Sequence, residues 1–207
     1  MNTMLGRLLF GRSLLTLLVL ILFSYLVLNL LALLVADRII FQPPPATYQD
    51  TPDIIKLTTR NHTQISAVYL PNPTATYTIL FSHGNGSDLG MSRPTLELIQ
   101  AIGFTVFAYD YQGYGTSQGT PSEHNTYQDI DAAYTYLTTM LQTPAHRIVL
   151  YGFSVGSGPS IELAMRRQVA GIILEGAFTS AFRVATYFPI LISMGQFPAA
   201  LQRKMQG

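Results

Sequence analysis

The chain has 207 residues, with 12 Lys and Arg against 11 Asp and Glu, 48% apolar residues and only 11% charged ones. So even a charge balance argues against nucleic-acid binding, which calls for a basic face. The absence of cysteine excludes disulfides, thiolate metal sites and cysteine nucleophiles.

Much of the apolar bias sits in SLLTLLVLILFSYLVLNLLALLVA, residues 13–36, which carries no charge. At about 1.5 Å per residue it is long enough to cross a hydrocarbon core of about 30 Å. A cleaved signal peptide would have an apolar region of about 7–15 residues ending in a small-x-small site. Here the run is longer, and Leu34 stands where a small residue is wanted, so the reading is an uncleaved, single-pass signal anchor lodged in the bilayer. Arg7 and Arg12 precede it, which places residues 1–12 in the cytoplasm and the rest of the chain outside it. Residues 37–53 follow as a spacer, because Pro43 to Pro45 favour an extended, semi-rigid conformation. The folded domain is expected over 54–207.

From Ile54 strands and helices alternate. IIKLTT and QISAVYL read as a half-buried hairpin joined through Arg60-Asn61-His62. YTILFSH, residues 77–83, and FTVFAYD, residues 104–110, are short apolar runs of the kind that form buried parallel strands. A helix is expected after Pro94, with Leu96, Ile99 and Ile102 on one face. Another is expected from Thr120, with Thr120 as cap, Pro121 at the first helical position and Glu123 closing a capping box. Tyr127, Ile130, Tyr134, Leu137 and Leu141 continue that helix as an apolar stripe. HRIVLYGFS and VAGIILEG are the last two strands, with a helix over 159–168 between them. The fold class is therefore α/β: a mostly parallel sheet covered by helices on both faces.

Three stretches carry chemistry. VLYGFSVGSGPS, residues 149–160, places Ser154 in the spacing G-x-S-x-G. Chance produces that spacing in on the order of one chain in ten of this length, so its context carries the reading. A nucleophile elbow needs a strand turning sharply into a helix, with glycines flanking the serine. Here Gly152 and Gly156 flank Ser154, and Gly158 is expected to ease helix packing. A phosphate-binding turn is the alternative, but GFSVGSG lacks both the G-x-G-x-x-G spacing and a Walker lysine. The second stretch, SHGNGSDLG, residues 82–90, follows a buried strand where a loop offers a backbone N–H to an oxyanion. By position the two donors are the N–H groups of Val155 and Asn85, with His83 and Gly84 as supporting loop residues. The third, YDYQGYGTSQGTPS, residues 109–122, puts Asp110 at a strand end, where it is expected to tie down its own glycine-rich turn.

Together with the anchor, DRIIFQPP and LEGAFTS, these stretches resemble the α/β-hydrolase superfamily, and within it the membrane-anchored serine hydrolases that include protein depalmitoylases and bacterial relatives. The resemblance covers roughly residues 37–183. It implies a serine hydrolase acting on a small-molecule or acylated substrate (an ester, thioester or related acyl group) through an acyl-enzyme on Ser154, with no metal and no cofactor.

The resemblance also implies an Asp or Glu and then a His after the nucleophile. From Val155 to Gly207 there is neither His nor Asp, and the acids are Glu162 and Glu175 alone. All four histidines, His62, His83, His124 and His146, precede Ser154. The expectation is a C-terminally truncated hydrolase domain with little or no activity. The alternatives are a non-catalytic, membrane-tethered binding module and a peptidase or amidase on the same scaffold.

Overall fold

A computed structural model describes residues 2–177, which form two compact units, one up to Gln42 and one from Pro43 onward. In the first, α1 (Asn2–Ile40) is a single helix, and its described side chains between Leu15 and Leu31 are exposed throughout. Among the described residues no helix is long and apolar enough to cross a membrane. The described side chains from 15 to 31 cover roughly 25 Å of helix at 1.5 Å per residue.

The second unit is a six-stranded sheet: β1 (Ile54–Thr58), β2 (Gln64–Leu70), β3 (Thr78–Ser82), β4 (Thr105–Tyr109), β5 (Ile148–Phe153) and β6 (Gly171–Glu175). Its order is β1-β2-β4-β3-β5-β6, antiparallel at β1/β2 and β2/β4 and parallel elsewhere. The hairpin and the four apolar runs are thus all present as strands. β3 and β4 lie in the middle and are buried along their whole length, as the unbroken apolar runs require.

The helices are α2 (Leu89–Ala101), α3 (Glu123–Thr135) and α4 (Ser157–Arg166). Val106 and Ala108 of β4 face α2, where they join Val68, Ile79, Phe81 and Leu96 in one core cluster. Phe107, on the opposite face, packs its ring against Tyr136 just past α3. With α3 and α4 in contact with each other, the sheet is covered on both faces.

Two helix starts differ from expectation. α2 begins at Leu89, five residues before Pro94, because the Asp88 carboxylate caps it by accepting from Met91 N–H at 2.9 Å. Pro94 is tolerated there at the loss of one backbone hydrogen bond. α3 begins at Glu123, capped by Ser122 Oγ rather than Thr120. It runs on into a π-helical turn, Tyr136–Met140; along the expected stripe Ile130, Tyr134 and Leu137 form core, while Tyr127 and Leu141 are only half-buried.

Candidate active site

Parallel strands carry their loops out at their carboxyl ends, and β3 and β5 are neighbours with Ser82 opposite Gly152. The loop after β3 and the turn after β5 are therefore side by side. At the end of β5 the chain tightens into a short 3-10 turn, Ser154–Gly156, before α4. Ser154 has φ +52°, a backbone region that side-chain-bearing residues seldom occupy and that costs on the order of 1–3 kcal/mol.

The flanking glycines explain how the turn fits. A Cβ on Gly152 would lie 2.7 Å from Gly156 O and from Ser157 Cα. One on Gly156 would lie 2.7 Å from the Ser82 carbonyl carbon and 2.8 Å from His83 O. Backbone thus packs on backbone on both sides of the serine. Ser157 Oγ donates to Gly152 O at 3.2 Å and Ser160 Oγ to Gly156 O at 2.8 Å. Gly158, by contrast, has no atom within 4 Å of an added Cβ, so it plays no part in helix packing.

The loop over 82–90 abuts the serine: a Cβ on Gly84 would sit 3.5 Å from Ser154 Cβ and 2.7 Å from the Phe153 ring. Val155 follows Ser154 and is buried. His83 is buried, donates from Nδ1 to Gly84 O at 2.8 Å and packs on the rings of Tyr111 and Tyr114. Its Nε2 lies 3.2 Å from Asp110 Oδ1 without hydrogen-bond geometry. These contacts tie the His83 ring into the loop and its neighbouring tyrosines.

The Asp110 carboxylate does not serve its own turn. It accepts from Leu89 N–H at 2.9 Å and from Tyr48 Oη at 2.5 Å, because the carboxyl end of β4 points at the start of α2. The turn after β4 reaches the same loop through tyrosines: Tyr111 Oη donates to His83 O and Tyr114 Oη to Asn85 Oδ1, each at 2.6 Å. Burial drives the Tyr111 phenol well above its ordinary range, so it stays a donor. These tyrosines are not legible as loop-holding residues in the sequence; the one signal is that they crowd a glycine-rich turn.

No described residue hydrogen-bonds the Ser154 hydroxyl. Glu175 lies beside Phe153 in register and accepts from Tyr151 Oη. Burial first, and then that carboxylate, push the Tyr151 phenol up to about 12. Both residues line a cavity of about 240 Å³ that also borders Gly84 and Phe153. A larger cavity, about 640 Å³, lies among β1, α3 and α4 and includes neither Ser154 nor the loop beside it.

A strand, a positive-φ serine between two space-limited glycines, a helix, and an adjoining loop after the neighbouring strand have the backbone geometry that a nucleophile elbow requires. Residues 77–198 match the alpha/beta hydrolase fold family. The chain belongs to that family. The chain is 48% identical over 114 residues to alpha/beta hydrolase domain-containing protein 17B of Xenopus laevis, a match covering 55% of this chain and 40% of that protein. It is 46% identical over 115 residues to protein 17B of Homo sapiens (55% and 40%) and 41% identical over 132 residues to aho-3 of Caenorhabditis elegans (61% and 39%). The chain therefore spans about two-fifths of the length of the curated relatives it matches. Among solved structures it is similar in fold to the Pyrococcus furiosus esterase Pf2001, with TM-score 0.62 at 20% identity over 80% of this chain and 68% of that one. An alpha-beta hydrolase from Vibrio vulnificus gives TM-score 0.58 at 22% identity over 74% and 53%. Residues 178–207, including the end of LEGAFTS, lie outside the described residues.

Proposed function

We propose that this hydrolase uses Ser154 as an acyl-accepting nucleophile on an ester or thioester, with the N–H groups of Val155 and Asn85 stabilising the oxyanion. The observation that carries the reading is the φ of +52° at Ser154 between Gly152 and Gly156: strain of this kind persists where the surrounding structure holds it, and it lifts the hydroxyl out of the strand. Attack of Oγ on the acyl carbon would form a tetrahedral oxyanion. Its collapse expels the alcohol or thiol, and water then releases the acyl group. Each oxyanion donor is worth about 10²–10³-fold in rate.

The base and acid that complete this chemistry belong after the nucleophile, and no His or Asp follows Ser154 in this sequence. An elbow served by the oxyanion hole and binding alone retains about 10³–10⁴-fold over water. In the same reading residues 13–36 lie in a bilayer, since an all-round apolar helix needs an apolar surrounding, and the domain faces the extracytoplasmic side.

The test is mass-spectrometric quantification of adducts after prolonged exposure of membranes to a fluorophosphonate. Slow modification at Ser154, absent in Ser154→Ala and confined to the membrane fraction, is expected. Fast modification that is lost in His83→Ala would overturn the assignment of His83 and the need for a later base.

A further inference from the structure

The segment ahead of the sheet is fastened to the loop beside Ser154 by two consecutive residues. Thr47 donates twice to the Asp88 carboxylate, from its N–H at 2.7 Å and from Oγ1 at 2.5 Å. Asp88 is the same residue that caps α2 through Met91 N–H. Tyr48 Oη donates to Asp110 Oδ2 at 2.5 Å, while the other oxygen of that carboxylate accepts from Leu89 N–H and faces His83. The Asp88–Leu89 end of the 82–90 loop is thus held by two buried carboxylates, Asp88 bonded by Thr47 and Asp110 by Tyr48, and Asp110 also lies against His83 near the other end.

The surrounding chain is shaped for this contact. A Cβ on Gly90 would collide with Thr47 Oγ1 and lie 3.2 Å from the Thr47 carbonyl carbon. A Cβ on Gly115 would collide with the Asp110 carboxylate and lie 2.7 Å from the Tyr48 ring. Thr116 N–H and Oγ1 also reach Tyr48 Oη, at 3.3 and 3.2 Å. Burial first, and then Asp110, hold the Tyr48 phenol well above its usual range, so it remains a donor. Burial pushes the Asp88 carboxyl up, but hydrogen bonds from Met91 and Thr47 outweigh it and keep the group below its ordinary value. So Asp88 remains a charged acceptor.

We propose that Thr47 and Tyr48 are positioning residues of the oxyanion loop, acting through Asp88 and Asp110 to fix the backbone of residues 83–89 against Ser154. The stretch 43–53 is then part of the catalytic unit as well as a connector. The proposal rests on the acyl-transfer reading for its kinetic consequence but not for the clamp itself. Charge-assisted hydrogen bonds to buried carboxylates are strong and directional, and a displacement near 1 Å at a reacting site is enough to cost on the order of 10²-fold.

Tyr48→Phe and Thr47→Val test it in the full chain, with Thr47→Ser as the conservative control that keeps both donors. Two quantities are read: the fluorophosphonate reaction at Ser154, split into probe affinity and maximal rate, and amide hydrogen exchange along the chain. The clamp predicts a maximal rate lowered about tenfold with probe affinity unchanged, faster exchange confined to 83–91, and recovery of both in Thr47→Ser. Unchanged rate and exchange overturn it, as does a loss of rate that tracks faster exchange throughout the sheet. If the parent chain does not react at Ser154 at all, the acyl-transfer reading fails. Exchange then decides the clamp alone: a rise confined to 83–91 supports it, and none overturns it.

Discussion

The loop after β3 and the turn after β5 flank the same serine, yet they are held in place by different means. Buried carboxylates and phenols wire the first: Asp110, Tyr111 and Tyr114 each bond a different point along it, and its own Asp88 is bonded by Thr47. In the second, backbone packs on backbone, with Gly152 and Gly156 leaving no room for a side chain and two serine hydroxyls closing on carbonyl oxygens. Deleting a partner damages the wired loop. Adding a single methyl damages the packed turn. The proposed acyl transfer needs both kinds of rigidity, because the proposed oxyanion donors and nucleophile lie on separate segments that must keep one fixed distance.

The largest effect expected from this contrast is at Gly156. Its substitution by alanine drives a Cβ into the backbone of Ser82 and His83, and none of those atoms belongs to a flexible side chain that could swing aside. Destabilisation of about 3 kcal/mol is expected, measured by urea unfolding. A Gly156→Ala chain with parental stability would mean that the turn and the loop separate more easily than backbone packing allows.

The wired side responds to pH instead. Asp129 on α3 accepts from Gln112 N–H at 2.9 Å and Gln112 Nε2 at 2.8 Å, holding the turn that carries Tyr111 and Tyr114. Burial raises its carboxyl from 3.8 to about 7, against the lowering effect of the Gln112 hydrogen bonds. With the folded value above the unfolded one, the folded state holds the proton more tightly. This contribution to stability is therefore full below about pH 4 and is lost as pH rises toward 7. The whole excursion is on the order of 4 kcal/mol. Asp129→Asn should remove it, so that the stability difference between the two chains changes between pH 4 and 7 and is flat above pH 8. Thermal unfolding across that range measures it, and parallel curves would show that the carboxylate is ionised throughout.

The sheet was legible in the sequence because β3, β4 and β5 are unbroken apolar runs, and central strands leave no other option for such segments. The tight turn at Ser154 was legible because glycines flank a serine directly after an apolar run. What escaped reading was the start of α2, where Asp88 outcompetes Pro94 as a boundary, and the start of α3, where Ser122 caps in place of Thr120. The partners of Asp110 escaped for a more general reason. An aspartate at a strand end announces that it will bind donors, but Tyr48 and Leu89 are 62 and 21 residues away, and only the strand order brings them together. The same holds for Gly158, whose sequence neighbourhood matches that of Gly156 although its surroundings do not.

Gly158 supplies the smallest and sharpest break of the comparison. It stands two residues beyond Gly156, in the first turn of α4, exposed and with nothing within 4 Å of an added Cβ. Its φ does not lie in the left-handed region, so alanine fits without strain. Alanine is favoured over glycine in a helix by roughly 0.5–1 kcal/mol, in part by narrowing the unfolded ensemble. Near a helix end the gain is expected at about 0.5 kcal/mol, with the Ser154 reaction unchanged. Urea unfolding of Gly158→Ala beside Gly156→Ala then separates two identical chemical changes by sign. If both destabilise, glycine is serving chain flexibility along the whole turn rather than volume at one point, and the account of the elbow as a packed structure falls.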